Sequence, residues 1–221
     1  MSREVQVRFC EGPRVRSPWA TRRNIYVGTK RSGERVLESI TTYLEGKLKL
    51  KVNHGKSAVD RPHRRTFLGY SFTPEKKPRI RVPRKSVQKM KSKLKKLCRE
   101  GRGRNLERFI CETLNPVLRG WTNYFRLSET KSFAKELDEG LRHRLRCILW
   151  RQWKQPRTRR KKLLGLGLDP ERAWKCTGNG RGPWFNSGSS DMNVALPLKA
   201  FERMKLLSVY DHLKFRRRTS T

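Results

Sequence analysis

Apolar residues recur along this chain with two different periods, and the change between them divides it. Up to about residue 82 the apolar runs are short and rich in β-formers. Asn24-Ile25-Tyr26-Val27-Gly28, Thr66-Phe67-Leu68-Gly69-Tyr70-Ser71-Phe72 and Arg79-Ile80-Arg81-Val82 each predict a strand. Between the first two, Val36, Leu37, Ile40, Tyr43, Leu44, Leu48 and Leu50 fall near a 3.6-residue period. They predict one helix, with Ser32 as its cap, and a turn follows around His54-Gly55. From Pro83 onward the period is helical almost throughout. Val87, Met90, Leu94 and Leu97 form one stripe of a helix over 84–99, which Gly101-Arg102-Gly103 ends. Leu106, Phe109, Ile110, Leu114, Val117 and Leu118 mark a second helix, with Pro116 as its kink. Phe133, Leu137, Leu141, Leu145, Ile148, Leu149 and Trp153 mark a third. Shorter helices are expected near 157–165, 169–176 and 197–207, with a loop over 178–183 and a frayed basic tail from Lys214. The polar stretch Thr73-Pro74-Glu75-Lys76-Lys77-Pro78 suits a linker. The fold class is α+β: short strands with one helix, then an all-α helical domain.

Charge changes the picture from fold to partner. Lys and Arg number 55 among 221 residues, against 19 Asp and Glu, a formal net charge of +36. Residues 1–73 hold 16 basic and 6 acidic residues, net +10, and residues 74–221 hold 39 and 13, net +26. Apolar residues make up 34% and mean hydropathy is -0.87, so no run approaches the roughly 20 apolar residues that cross a bilayer. Nine Phe, six Trp and five Tyr argue against plain disorder. A chain this basic repels itself unless a polyanion neutralises it, and the expected polyanion is nucleic acid.

The cations are not evenly spread. Lys154, Arg157, Arg159, Arg160, Lys161 and Lys162 place six positive charges in nine residues with no acid among them, and phosphate contact is the expected role. Lys89, Lys93 and Lys96 lie on the basic face of the 84–99 helix, where contact with RNA is weighed against a solvated face. Trp121, Tyr124 and Phe125 stand at i, i+3 and i+4, the spacing of core residues, with Arg119 and Arg126 flanking them within reach of phosphate. Trp150, Trp153 and Leu149 also read as core, with Arg146, Arg151 and Lys154 outside. The glycine-rich 178–183 loop lacks the Gly-Lys-Ser/Thr ending of a phosphate loop, although Arg181 is placed to touch RNA.

Catalytic and metal signatures are missing from the sequence. Cys10, Cys98, Cys111, Cys147 and Cys176 lie far apart with no CxxC pair, which excludes a zinc framework and predicts reduced, mostly buried thiols. His54, His63, His143 and His212 are scattered, with no nucleophile and acid beside any of them. The N-terminus lacks the apolar core of a secretory signal, and Glu4 and Glu11 weaken an organelle presequence. A cytoplasmic protein, bacterial rather than organellar, is expected.

Several segments together resemble the reverse transcriptase–maturases encoded by group II introns. Gly33 to Pro62 is similar to the palm segment that follows the catalytic strand, and Phe67-Leu68-Gly69-Tyr70-Ser71-Phe72 to the last palm motif. Gly120-Trp121-Thr122-Asn123-Tyr124-Phe125 resembles the hallmark of the maturase-specific region, also called the thumb or domain X. Trp150, Trp153, the 157–162 basic run, the 164–168 leucine stretch, Trp174 and Gly182-Pro183-Trp184 continue it. The resemblance implies an atypical N-terminus over 1–23, from truncation or a frame slip, then the end of a reverse-transcriptase palm over 24–82. A maturase-specific helical domain would follow over 83–213, and a basic tail over 214–221. It also makes Lys56, of the Lys56-Ser57 pair, a contact residue.

One departure from the family decides the expected activity. The catalytic Tyr-Ala-Asp-Asp belongs just before the 24–28 strand, where this chain reads Trp19-Ala20-Thr21-Arg22-Arg23. Polymerisation needs adjacent carboxylates to hold two Mg²⁺ ions, and Thr and Arg cannot supply them. The resemblance therefore implies a maturase that binds structured RNA, a group II intron, and assists its folding and splicing. It would have no catalytic residue or metal site of its own and would meet Mg²⁺ only through the RNA. The alternatives are a subunit of an RNA-directed DNA polymerase completed by a separate palm and fingers chain, or a non-functional remnant of a mobile element.

Overall fold

The computed structural model describes residues 5–9, 23–55, 57–129 and 131–218. The chain forms two compact units, residues 1–81 and 82–221. The α+β class holds, with helices dominating.

In the first unit, β1 (Val5–Phe9) is the centre of a three-stranded sheet. It pairs antiparallel with β2 (Arg23–Val27) and with β3 (Ala58–Asp60). One helix, α1 (Lys30–Gly46), packs against this sheet. Its cap is Thr29 and not Ser32: the Thr29 backbone is extended and its Oγ1 accepts the Ser32 N–H at 3.1 Å, which starts the helix three residues early. The helix stops at Gly46, so the expected continuation through Leu48 and Leu50 does not form. Lys49 turns left-handed at φ 53°, and Leu48 is exposed.

The predicted 66–72 strand is also shorter than expected. Leu68 and Gly69 both take positive φ, 48° and 78°, and Phe67 and Tyr70 exchange backbone hydrogen bonds across them. That is a two-residue hairpin turn of the type whose twist matches flanking strands, and glycine makes its second position cheap. Only Ser71–Phe72 remains as strand β4, paired with β5 (Ile80–Arg81).

The second unit is helical. α2 (Arg84–Glu100) carries a buried stripe of Val87, Met90, Leu94 and Cys98, spaced for a single face. Gly101 ends it, and a side chain there would strike the Phe109 ring at 2.6 Å, so only glycine lets the two approach. After α3 (Leu106–Phe109), the expected kink at Pro116 takes the form of one π turn, Ile110–Leu114, before α4 (Asn115–Tyr124). A proline ring in a regular helix would clash with the carbonyl four residues back, and widening the preceding turn relieves this. Ile110 and Leu114 remain fully buried through it.

α5 (Ser132–Gln152) runs through the centre of the core with Leu137, Leu141, Leu145, Ile148 and Trp150 buried. Around it lie α6 (Pro156–Gly165), α7 (Pro170–Gly178), α8 (Pro183–Ser187), α9 (Ser190–Ala195), α10 (Leu198–Arg203) and α11 (Val209–Arg218). The tail expected to fray from Lys214 is helical through Arg218. Asp138 of α5 holds the start of α11, accepting from Val209 N at 2.9 Å, Tyr210 N at 3.0 Å and Ser208 Oγ at 3.1 Å. Asn115 fixes the approach to it, donating to Lys205 O at 2.7 Å and accepting from Leu207 N at 3.0 Å.

Candidate nucleic-acid interface

The densest positive charge sits on a helix whose two ends are locally determined. Pro156 stands in the first turn of α6, where the missing N–H costs nothing and the fixed φ suits the helix. At the far end Gly167 takes φ +83°, Leu168 N donates to Leu163 O at 3.1 Å and Gly167 N to Leu164 O at 2.9 Å. This paired-bond stop brings Leu168 back onto Leu163, and both are buried. α7 begins immediately, with Asp169 accepting from Glu171 N and Arg172 N at 3.0 and 3.2 Å. A proline start, the Gly167 stop and the Leu163–Leu168 contact thus hold a ten-residue helix in which five residues are cations.

The structure separates the six charges of the run. Lys154, Arg157, Lys161 and Lys162 are exposed. Arg159 and Arg160 are half-buried: the Arg159 guanidinium lies 4.9 Å from the Trp150 ring, and that of Arg160 5.7 Å from Trp174. Among the described residues none of the six forms an ion pair. The helix also has no acid in its first turn, so its positive dipole end stands beside Arg157 uncompensated. Arg157, Lys161 and Lys162 on this short helix and Lys154 just before it, all exposed, raise each other's energy until an anion approaches.

Charge on α2 is arranged differently. Lys89 and Lys93 are exposed and, among the described residues, free of carboxylates, but Lys96 reaches Glu100 at 4.0 Å and Lys91 pairs with Glu136 of α5. Exposed pairs of this kind contribute little to stability, yet they neutralise charge that a phosphate would otherwise meet.

Other expected residues scatter. Arg119 and Arg126 are exposed on and just after α4, and among the described residues neither forms an ion pair. Arg181 lies in the loop before α8 with its guanidinium 4.2 Å from the Phe185 ring. Lys56 lies outside the described residues, as do residues 19–22.

Two expectations about the core fail. Tyr124 is 57% exposed, although Trp121 and Phe125 do pack together with ring centres 4.8 Å apart. Arg146, expected outside, is buried, and its Nε and Nη2 donate to Leu196 O at 3.1 and 2.8 Å. Burial and the nearby Arg142 charge hold its pKa below the usual arginine value. That arginine ties α5 to the end of α9 and is unavailable to RNA. Cys98, Cys147 and Cys176 are buried and Cys111 half-buried; burial pushes the Cys98 thiol up to about 11, against the pull of Arg144. Neither the Asp138 anchor nor the arginine-capped Trp174 is visible in the sequence. The first joins residues some 70 positions apart, and the second shows only as an arginine and a tryptophan on consecutive short helices.

Among the described residues no group of three or more His, Cys, Asp or Glu side chains is placed to hold a metal ion. Nor, among them, is any helix long and apolar enough to cross a membrane.

Residues 87–165, from the buried face of α2 to the end of α6, match the family model of the group II intron maturase-specific domain. No curated protein matches the chain.

Proposed function

From a chain that carries the group II intron maturase-specific domain at residues 87–165, we propose that it binds structured intron RNA and stabilises the splicing-competent fold. The observation that carries this reading is the unpaired row Lys154, Arg157, Lys161 and Lys162 within the matched segment. Cations without carboxylate partners gain most from phosphates, because binding releases counterions without breaking existing ion pairs. Arg119, Arg126, Lys89, Lys93 and Arg181 extend the positive surface in this reading.

The mechanism is differential binding. A protein that contacts the phosphates of the folded intron better than those of its alternatives shifts the population toward the fold. Cleavage and ligation would then belong to the RNA and its bound Mg²⁺. The resemblance of residues 24–82 to the end of a reverse-transcriptase palm supports reading the first unit as a palm fragment. With Thr21 and Arg22 in place of the Asp pair, polymerisation is not assigned to it.

Splicing of a panel of group II introns at Mg²⁺ too low for self-splicing tests the proposal. One or more introns should splice when the protein is added. Full-length protein that rescues none of them, while remaining folded, overturns it. A primer-extension assay on an RNA template should give no product.

A further inference from the structure

The α6–α7 pair also carries an aromatic ring that the fold does not need. Trp174 projects from α7 with 60% of its surface exposed, while Ala173, Cys176 and Thr177 on the other side of that helix are buried. The helix is anchored by that small-residue face and by the Asp169 cap, so the indole adds little to holding it in place. The other tryptophans that the fold positions are occupied. Trp150 and Trp153 are core, Trp121 packs between Phe125 and Phe133, and Trp184 lies under the His143 ring at 3.9 Å with 26° between planes. Among the described residues no other ring is stacked on Trp174. Its one aromatic-face contact among them is the Arg160 guanidinium, 5.7 Å from the ring centre.

Arg160 shares a helix face with Arg157 and Leu164, three residues before it and four after. Through Arg160 the exposed indole is joined to the helix that carries the unpaired cations, where Leu164 is also exposed. A flat, exposed ring next to phosphate-binding charge fits one ligand feature: a base whose face is free. Paired bases in an RNA helix hide their faces against neighbours, and the deep major groove excludes side chains. An unpaired base stacks on an indole whatever its identity, and a guanidinium at the ring adds a favourable cation–π contact.

Resting on the RNA-binding reading, we propose that Trp174 is a stacking platform for an unpaired nucleotide, with Arg160 steadying the ring and Arg157 and Lys161 holding the neighbouring phosphates. The bound RNA is thus expected to present a single-stranded element to this face.

Anisotropy titrations of the full chain test this, using an unstructured RNA strand of about 12 nucleotides and a blunt duplex of the same length. Trp174→Ala should weaken binding to the strand by about ten-fold and leave binding to the duplex within about two-fold. Trp174→Phe should restore most of that affinity, and thermal midpoints should stay close to the parent because the ring is exposed. Arg157→Gln should weaken both probes alike and reduce the salt dependence. If the parent binds both RNAs and Trp174→Ala changes them equally or not at all, the stacking role is overturned while RNA binding stands. If the parent binds neither, the proposed function fails, and this inference fails with it.

Discussion

α2 and α6 belong to the same unit, both lie within or overlap the matched domain, and both are crowded with lysine and arginine, yet they treat charge in opposite ways. α2 is seventeen residues long, buries a continuous apolar stripe, and offsets two of its lysines with Glu100 and Glu136. α6 is ten residues long, buries Leu163, and has no carboxylate partner for any of its cations among the described residues. The first combines a structural apolar stripe with a basic face that acids partly neutralise. In the second the sequence has kept a proline start, a glycine stop and one buried leucine, and half of its residues are cations. Density of basic residues alone does not separate them. The presence or absence of acids at pairing distance does.

The largest expected effect attacks α6. Replacing Lys154, Arg157, Lys161 and Lys162 with Gln should reduce RNA affinity by about a hundred-fold or more near 0.1 M salt, since each phosphate deprived of its cation costs several-fold. The circular dichroism spectrum should not change, because all four side chains are exposed. Filter binding on one structured RNA measures it. Next comes Asp138→Ala, which leaves the Val209 and Tyr210 N–H groups at the start of α11 without their acceptor and should cost about 1–2 kcal/mol in urea unfolding without weakening contacts made by α6. Lys89→Gln with Lys93→Gln should cost about ten-fold in affinity, and Lys91→Gln with Lys96→Gln less than about two-fold, because those two lysines are already matched. Equal reductions from the two α2 pairs would break the comparison.

The smallest effect is one of pH. Burial holds the Asp138 carboxyl above its ordinary value despite the Tyr210 and Val209 N–H groups, the Ser208 hydroxyl and the Arg142 charge, which act the other way. The folded chain thus binds this proton more readily than the unfolded chain. Stability from this group is therefore greater at low pH and falls as pH rises between the ordinary carboxylate value and the raised one. The difference in unfolding free energy between the parent and Asp138→Asn should shrink across that window. A difference that grows would show that the hydrogen bonds outweigh burial.

Much of the second unit is legible in the sequence because long helices repeat their apolar positions many times. The stripes of α2 and α5 need no tertiary knowledge, and the run from Lys154 to Lys162 announces itself by the acids it lacks. Short elements give too few periods. α8 and α9 escape detection although Pro183 stands in the first turn of one and Ser189 caps the other, its Oγ accepting from Met192 N. α11 reads as a frayed tail because its basic residues mask Val209 and Leu213, which are buried one turn apart. Arg146 cannot be placed by pattern: an arginine on an amphipathic helix is ordinarily outside, and only the carbonyl of Leu196, fifty residues on, makes burial tolerable. In the first unit, Gly69 disguises a turn as part of a strand. Among residues 24–81 whose side-chain burial is described, Val52 is the one buried apolar side chain, so periodicity there has little burial to report.

The salt dependence of binding to a structured group II intron RNA tests the central claim most directly. If the unpaired cations of α6 neutralise phosphates, the log–log slope of affinity against salt should be steep for the parent chain. It should flatten by about 3 in the variant with Gln at 154, 157, 161 and 162. The same slope in parent and variant would contradict the account, since the positive charge of α6 would then meet no phosphate.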